Sequence, residues 1–226
     1  MKMLKKAAAV LLAAAMSLTM LTACGGGSGS TTQYKLAKVL AESQQTGKAY
    51  SDITTTIDGS AIAPALAGQK MNIRAKTAVD SKAGKTCTFV DFGVNGESWE
   101  CYLATKDGTY ELAEDENNNP YWEKVQNNAM LNMANAATPS NVNVSSLQIK
   151  QDYEFNGTTY YAEVLNSEGT EIAYLFVGDT LKYIVITTGS IQIVETVHEM
   201  SGHFPAQISG NVPVSYDELM NLKTVG

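Results

Sequence analysis

Leu36, Val39 and Leu40 recur at helical spacing within "QYKLAKVLAESQQT", residues 33–46, and Gly47 closes the segment. Apolar residues three and four apart line one face of a 3.6-residue helix, so an amphipathic helix is predicted here. The period then falls to two. In "YSDITTTID", Ile53, Thr55 and Ile57 share one side, with Asp52, Thr54 and Asp58 on the other. That is the alternation of a half-buried strand. "MNIRAKTAV" alternates again, placing Met71, Ile73, Ala75 and Val79 inward and Asn72, Arg74 and Lys76 outward. Between the two, "AIAPALAG" at 61–68 is an apolar linker broken by Pro64.

"TCTFVDF", "SWECYLAT" and "TYELAED" follow as three more strands, separated by the hairpin signals Asn95-Gly96 and Asp107-Gly108. "EDENNNPYW" is a polar loop. Val125, Ala129, Met130, Met133 and Ala137 then return to helical spacing and stop before Pro139, which predicts a second helix. From Leu147 to about Met200 the chain is β-rich, with turns at Asn156-Gly157, Glu168-Gly169, Gly178-Asp179 and Gly189-Ser190. "IAYLFV" and "YIVIT" are apolar on both sides, as central strands covered on both faces would be. Ser215 with Glu218 forms a capping-box pattern ahead of "YDELMNL", a short last helix. Consecutive hairpins imply an antiparallel meander, and about ten strands in one open sheet would curl. The expected fold is therefore mainly β with helices (α+β). A single strongly curved antiparallel sheet, a half-barrel of about ten strands, would hold two or three helices in its concave side.

The N-terminus changes the picture of where this domain sits. Lys2, Lys5 and Lys6 precede an uncharged run from Ala7 to Ala23. Charge, a modest apolar core and small residues make a secretory signal; 17 residues rich in Ala are at the low limit for spanning ~30 Å of hydrocarbon. "LTAC", Leu21 to Cys24, resembles the bacterial lipobox, which implies that the Cys24 thiol accepts a diacylglyceryl group, with palmitate-type chains anchoring the protein in the membrane. Two acyl chains meet the requirement for stable anchoring. The "GGGSGSTT" tract that follows behaves as a flexible tether. Residues 1–23 are thus expected to be a lipoprotein signal peptide, 24–32 the lipidated cysteine and tether, and 33–226 one domain on the extracytoplasmic face of the bacterial cell membrane.

Without its signal the chain has 13 basic against 23 acidic residues, a net of −10, which repels phosphate backbones and argues against a nucleic-acid partner. Cys87 and Cys101 remain, and an exported protein could join them. If Asn95-Gly96 is a two-residue turn, Cys87 opposes Ala104 and the two thiols point to opposite faces; a longer loop would bring them together.

With these segments in place, a family comes into view. The lipobox, the tether, the first helix, the "Y-S" entry into strand one and the hairpin "ECYLATKDGTYELAEDENNNPYWEKV" resemble the LolA/LolB-like superfamily of half-open β-barrel bacterial lipoproteins. It includes lipoprotein carriers and many Gram-positive lipoproteins of unassigned role. The stretch "DGTYEL…YWEKV" is similar to one that recurs among them, carried here by Gly108, Tyr110, Trp122 and Lys124. The resemblance covers most of residues 33–220 as architecture, and implies a hydrophobic cavity between sheet and helices that holds acyl chains.

No catalytic constellation, cofactor motif or metal set emerges. "HEMSGH" holds His198 and His203 five residues apart; zinc proteases place two histidines four apart on one helix face. No Gly-x-Ser-x-Gly elbow is present. "EDE" at 114–116 lacks the spaced ligands of a calcium loop and fits a solvated turn. The expectation is a non-enzymatic, membrane-anchored module that binds a lipid or other hydrophobic ligand, lined by Ile53, Ile57, Met71, Ile73, Phe89, Trp99 and Leu103. The alternative is a cell-envelope module with a filled core, binding a protein or polymer through a sheet edge or through loops 61–68 and 114–120.

Overall fold

The computed structural model describes residues 33–58, 68–91, 99–125, 144–167, 169–206 and 215–225. Helix α1 spans Lys35–Thr46, followed by β1 (Lys48–Asp58), β2 (Lys70–Asp80), β3 (Lys85–Asp91), β4 (Trp99–Thr105), β5 (Gly108–Glu114) and β6 (Pro120–Lys124). A 3₁₀ turn at Val144–Ser146 leads into β7 (Gln148–Phe155), β8 (Thr158–Ser167), β9 (Thr170–Val177), β10 (Thr180–Thr188) and β11 (Ile191–Ser201). Helix α2 (Tyr216–Met220) and β12 (Thr224–Val225) close the chain. Cys24 and its tether, the linker 61–67, the turn at Asn95-Gly96 and the helix expected over 125–137 (from 126 on) lie outside the described residues.

All twelve strands belong to one curved, unclosed sheet in the order β12-β6-β5-β4-β3-β2-β1-β11-β10-β9-β8-β7. It is two meanders, β1–β6 and β7–β11, joined where β1 pairs antiparallel with β11. The strand number exceeds the ten expected. Part of the "EDENNNPYW" loop is β6, where Pro120–Lys124 pairs with β5, and the two-residue β12 lies parallel to β6. Asp115 organises the remaining loop, its Oδ1 accepting from the backbone of Asn117 and Asn119 at 2.8 and 2.9 Å.

The two described helices do not share a hollow. Alternation along a strand sends successive side chains to opposite faces. Ile53 of β1 points to the face on which α1 packs Leu36 and Leu40. Tyr50 of the same strand points to the other face, under Tyr216, Leu219 and Met220 of α2. We term these the front and back faces. The expectation of helices gathered in one concave side is thus corrected: α1 covers the front of the β8–β11 and β1 half, and α2 the back of the β1–β6 half. A third cluster, Phe155, Ala162, Val164, Ala173, Leu175 and Val185, occupies the back of the β7–β11 half. Central strands are consequently buried on both sides, as "IAYLFV" predicted: Ala173, Tyr174, Leu175 and Phe176 are all buried.

Helix α1 has no side-chain N-cap, because Tyr34 occupies that position. Gly47 ends it in the left-handed conformation at φ 75°, returning its N–H to Ser43 O at 2.9 Å, a geometry that glycine adopts without a Cβ penalty. Its C-terminal half lies tight against the end of β11, where Gly202 is buried. A Cβ on Gly202 would sit 2.6 Å from the Glu42 carbonyl carbon and 2.7 Å from Ser43 N, so the close approach needs a glycine. Gly202 N–H donates to Glu42 Oε2 (3.0 Å), and Thr46 Oγ1 donates to Gly202 O (2.7 Å).

Helix α2 is anchored differently. Its capping box is formed: Ser215 Oγ accepts from Glu218 N–H at 3.3 Å, and the Glu218 carboxylate accepts from Ser215 N–H at 2.8 Å. At its other end the Trp122 indole donates to Leu219 O (2.7 Å) and Lys85 Nζ to Met220 O (2.5 Å). Tyr216 packs its ring against Tyr50, Phe89 and Phe204 with centroids 5.6–6.0 Å apart.

Of the two registers left open for Cys87 and Cys101, the structure takes the one that brings the thiols together. Cys87 pairs with Leu103, not Ala104, and Cys101 with Phe89, so both thiols lie on the back face. They are free, with Sγ atoms 3.8 Å apart. Lys76 points outward from the front, as expected, yet is buried, because its ammonium lies over the Trp99 ring, 5.0 Å from the centroid.

Candidate functional site

The seven residues expected to line a cavity are divided by the register. Ile57 pairs with Met71, and Ile73 with Thr55, all on the side of Ile53 and Ala75. Phe89 pairs with Lys76, the neighbour of Ala75 that faces the other way. Ile53, Ile57, Met71 and Ile73 therefore share the front face. Phe89, Leu103 and the half-buried Trp99 belong to the back-face cluster beneath α2. No single cavity on one side of the sheet can be lined by all seven.

The front face carries a continuous apolar field. From β1 and β2 it continues through Ile193 and Val197 of β11, Ile184 and Ile186 of β10, Tyr174 and Phe176 of β9, to Tyr161 and Leu165 of β8. Leu36 and Leu40 of α1 cover part of it, together with Tyr34, whose hydroxyl donates to Leu147 O at 3.3 Å.

Two carboxylates break this field, and both are fully buried. Glu163 of β8 stands beneath the start of α1 and accepts from the backbone N–H groups of Lys35 (2.5 Å) and Leu36 (3.0 Å), and from the Tyr161 hydroxyl (3.1 Å). A carboxylate aimed at free N–H groups supplies the missing cap and matches the positive end of the helix dipole. Burial, and after it the neighbouring Glu163, pushes the Tyr161 phenol up to about 12.

Glu195 has no such partner. It lies in the middle of β11, between Thr55 of β1 and Ile184 of β10. Both of its oxygens are buried without a hydrogen-bond partner among the described residues. Burial pushes its carboxyl up to about 8, since an ionised group in an apolar setting is penalised; it is neutral at pH 7. Burial, and then the proximity of Glu195, also raises the phenol of Tyr174.

Neither carboxylate was singled out in the sequence, although the signal was present. Period-two reading places Glu195 on the side of Ile193 and Val197, and Glu163 on the side of Tyr161 and Leu165. A charge on the apolar side of a strand marks a buried ionisable group.

The histidines do not converge. His198 Nε2 lies 2.8 Å from Thr54 Oγ1, whereas His203 Nδ1 lies 3.3 Å from Glu42 Oε1 at the end of α1. Glu42 is held below the usual carboxylate range by the Gly202 backbone bond first and His203 second. No cluster of three or more His, Cys, Asp or Glu suited to a metal ion occurs among the described residues. On the back face, Arg74 grips the buried Asp52 through two bonds of 2.7 and 2.8 Å.

No protein-family model matches the chain, and no curated protein matches it. Among solved structures it is similar to an uncharacterised conserved protein from Thermus thermophilus, at 10% identity over 85% of this chain and 99% of that one, with a TM-score of 0.38. It is also similar to a domain described as a putative outer membrane lipoprotein-sorting protein from Vibrio parahaemolyticus, at 7% identity over 80% and 96% of the two chains, with a TM-score of 0.31.

Proposed function

We propose that this chain is an extracytoplasmic lipoprotein, anchored through Cys24, whose front face holds the apolar body of a lipid or similar hydrophobic molecule without chemically altering it. The observation that carries this is the front-face field itself. Ile53, Ile57, Met71 and Ile73 extend it onto strands β1 and β2, whereas α1 packs on the β8–β11 and β1 half. Burial of such surface supplies ~25 cal/mol per Å² of apolar area removed from water, so the site needs shape and apolarity more than specific polar contacts. The lipobox cysteine and the Gly/Ser tether support the placement beside a membrane. Phe89, Trp99 and Leu103 are reassigned to the core under α2.

One observation favours a second reading, an envelope interaction module with a filled core. Ile53, Ile57 and Ile73 are only 0–4% exposed, as side chains of a packed interior are. Native mass spectrometry of the Cys24→Ala chain, purified without detergent stripping, separates the two. The first reading expects acyl-chain adducts or uptake of added fatty-acid probes. A clean apo mass with no uptake would leave the second.

A further inference from the structure

We propose that Glu195 is the polar anchor of the front-face site, hydrogen-bonding the neutral head of a long-chain ester or alcohol whose tail lies on the apolar field. This rests on the ligand-holding reading above. Both carboxyl oxygens of Glu195 are buried and unpartnered among the described residues. Native proteins leave few buried polar groups in that state, and one on an apolar face calls for an explanation, of which an absent ligand is one. The other buried carboxylate of the same face, Glu163, is fully engaged by α1 and Tyr161, so it is not available for a ligand.

The position suits an anchor. Glu195 sits between β1 and β10, with Ile193 and Val197 before and after it on its own strand. A head group held there would direct its tail along the row of Ile53, Ile57 and Ile73 on the same face. The groups nearest in the register are Thr55, Ile184 and, one strand further, Tyr174. None carries a positive charge. A protonated carboxyl offers one O–H donor and one carbonyl acceptor, which match an ester carbonyl or a hydroxyl. A phosphate or carboxylate head would meet no cation among these neighbours and would bear an uncompensated charge in an apolar setting. The ligand class is therefore a neutral amphiphile and not an anionic lipid.

The test compares binding of monoolein, oleyl phosphate and octadecane to the full chain and to Glu195→Leu and Glu195→Gln, by native mass spectrometry with titration. The wild type is expected to take monoolein at least about tenfold more tightly than either other probe, the worth of one well-formed hydrogen bond in a dry site. Glu195→Leu should lose that preference while still binding octadecane. Glu195→Gln, whose amide both donates and accepts, should keep most of it. A thermal melt of each variant reports folding. Equal affinity of the wild type for monoolein and octadecane, tighter binding of oleyl phosphate, or an unchanged preference in a folded Glu195→Leu chain would overturn the anchor and leave the apolar site standing. Failure of the wild type to bind any of the three would overturn both.

Discussion

Helix α1 is 12 residues long and carries no capping side chain of its own, whereas α2 is five residues long and carries a complete capping box. Each is held by what it lacks locally. The N–H groups that α1 leaves open are met by Glu163, more than a hundred residues away in the chain. Helix α2 has its local cap but is far too short to be stable in isolation; Trp122, Lys85 and the Tyr50–Phe89–Tyr216 rings fix it on the sheet. The comparison teaches that the two faces are built as separate packing units. The back of the β1–β6 half is an aromatic core closed by α2. The front is a mixed aliphatic and aromatic field with buried carboxylates, partly covered by α1. The proposed site lies on the second.

If the units are separate, breaking one should spare the other. Trp122→Ala removes a fully buried ring and its bond to Leu219 O, and is expected to cost about 3–5 kcal/mol. Hydrogen exchange should show lost protection in β6, α2 and β12, with α1 unchanged. Glu195→Leu acts in the opposite direction. The Glu195 carboxyl titrates near 8 in the folded chain against 4.5 in an ordinary setting. The unfolded chain therefore releases its proton first as pH rises. Stability is full below about 4.5 and falls between there and about 8, at about 1.4 kcal/mol per pH unit. The leucine variant should flatten that slope, and at pH 7 should be more stable than the wild type by about 3 kcal/mol, read from urea unfolding across pH.

Gly202→Ala forces a Cβ against the backbone of Glu42 and Ser43. It should destabilise the front unit by about 1–3 kcal/mol, with exchange protection lost in α1 and kept in α2. The smallest effect expected is that of Glu163→Gln. Its side chain keeps one acceptor, so the start of α1 should fray at a cost of about 1 kcal/mol, visible as faster exchange at Lys35 and Leu36.

Strong periodicity made α1, β1, β2 and the hairpins of the second meander legible, and the Ser215/Glu218 pair marked the start of α2. What escaped was decided by tertiary pairing. Strand β6 is five residues of mixed polarity following three asparagines, and forms because β5 on one side and β12 on the other offer it partners. The register of β3 on β4 differs by one residue from that of a two-residue turn, and one residue reverses every side chain; hence Cys87 and Cys101 share a face. Of the seven expected lining residues, four share a face. Ile53, Ile57, Met71 and Ile73 lie on two strands whose pairing follows directly from their alternation. Phe89, Trp99 and Leu103 were joined to them through the assumption that every apolar stripe faces one hollow, which a sheet covered on both sides does not obey.

The central claim is that the front face, and not the back, receives the ligand. Photo-crosslinking tests it most directly: a diazirine-bearing monoacylglycerol is bound to the full chain, irradiated, and its attachment sites are mapped by peptide mass spectrometry. The account predicts labelling on β1, β2 and β11, around Ile53, Ile57, Ile73 and Val197. Labelling confined to Phe89, Leu103 and the residues beneath α2, or none above that of a denatured control, would contradict it.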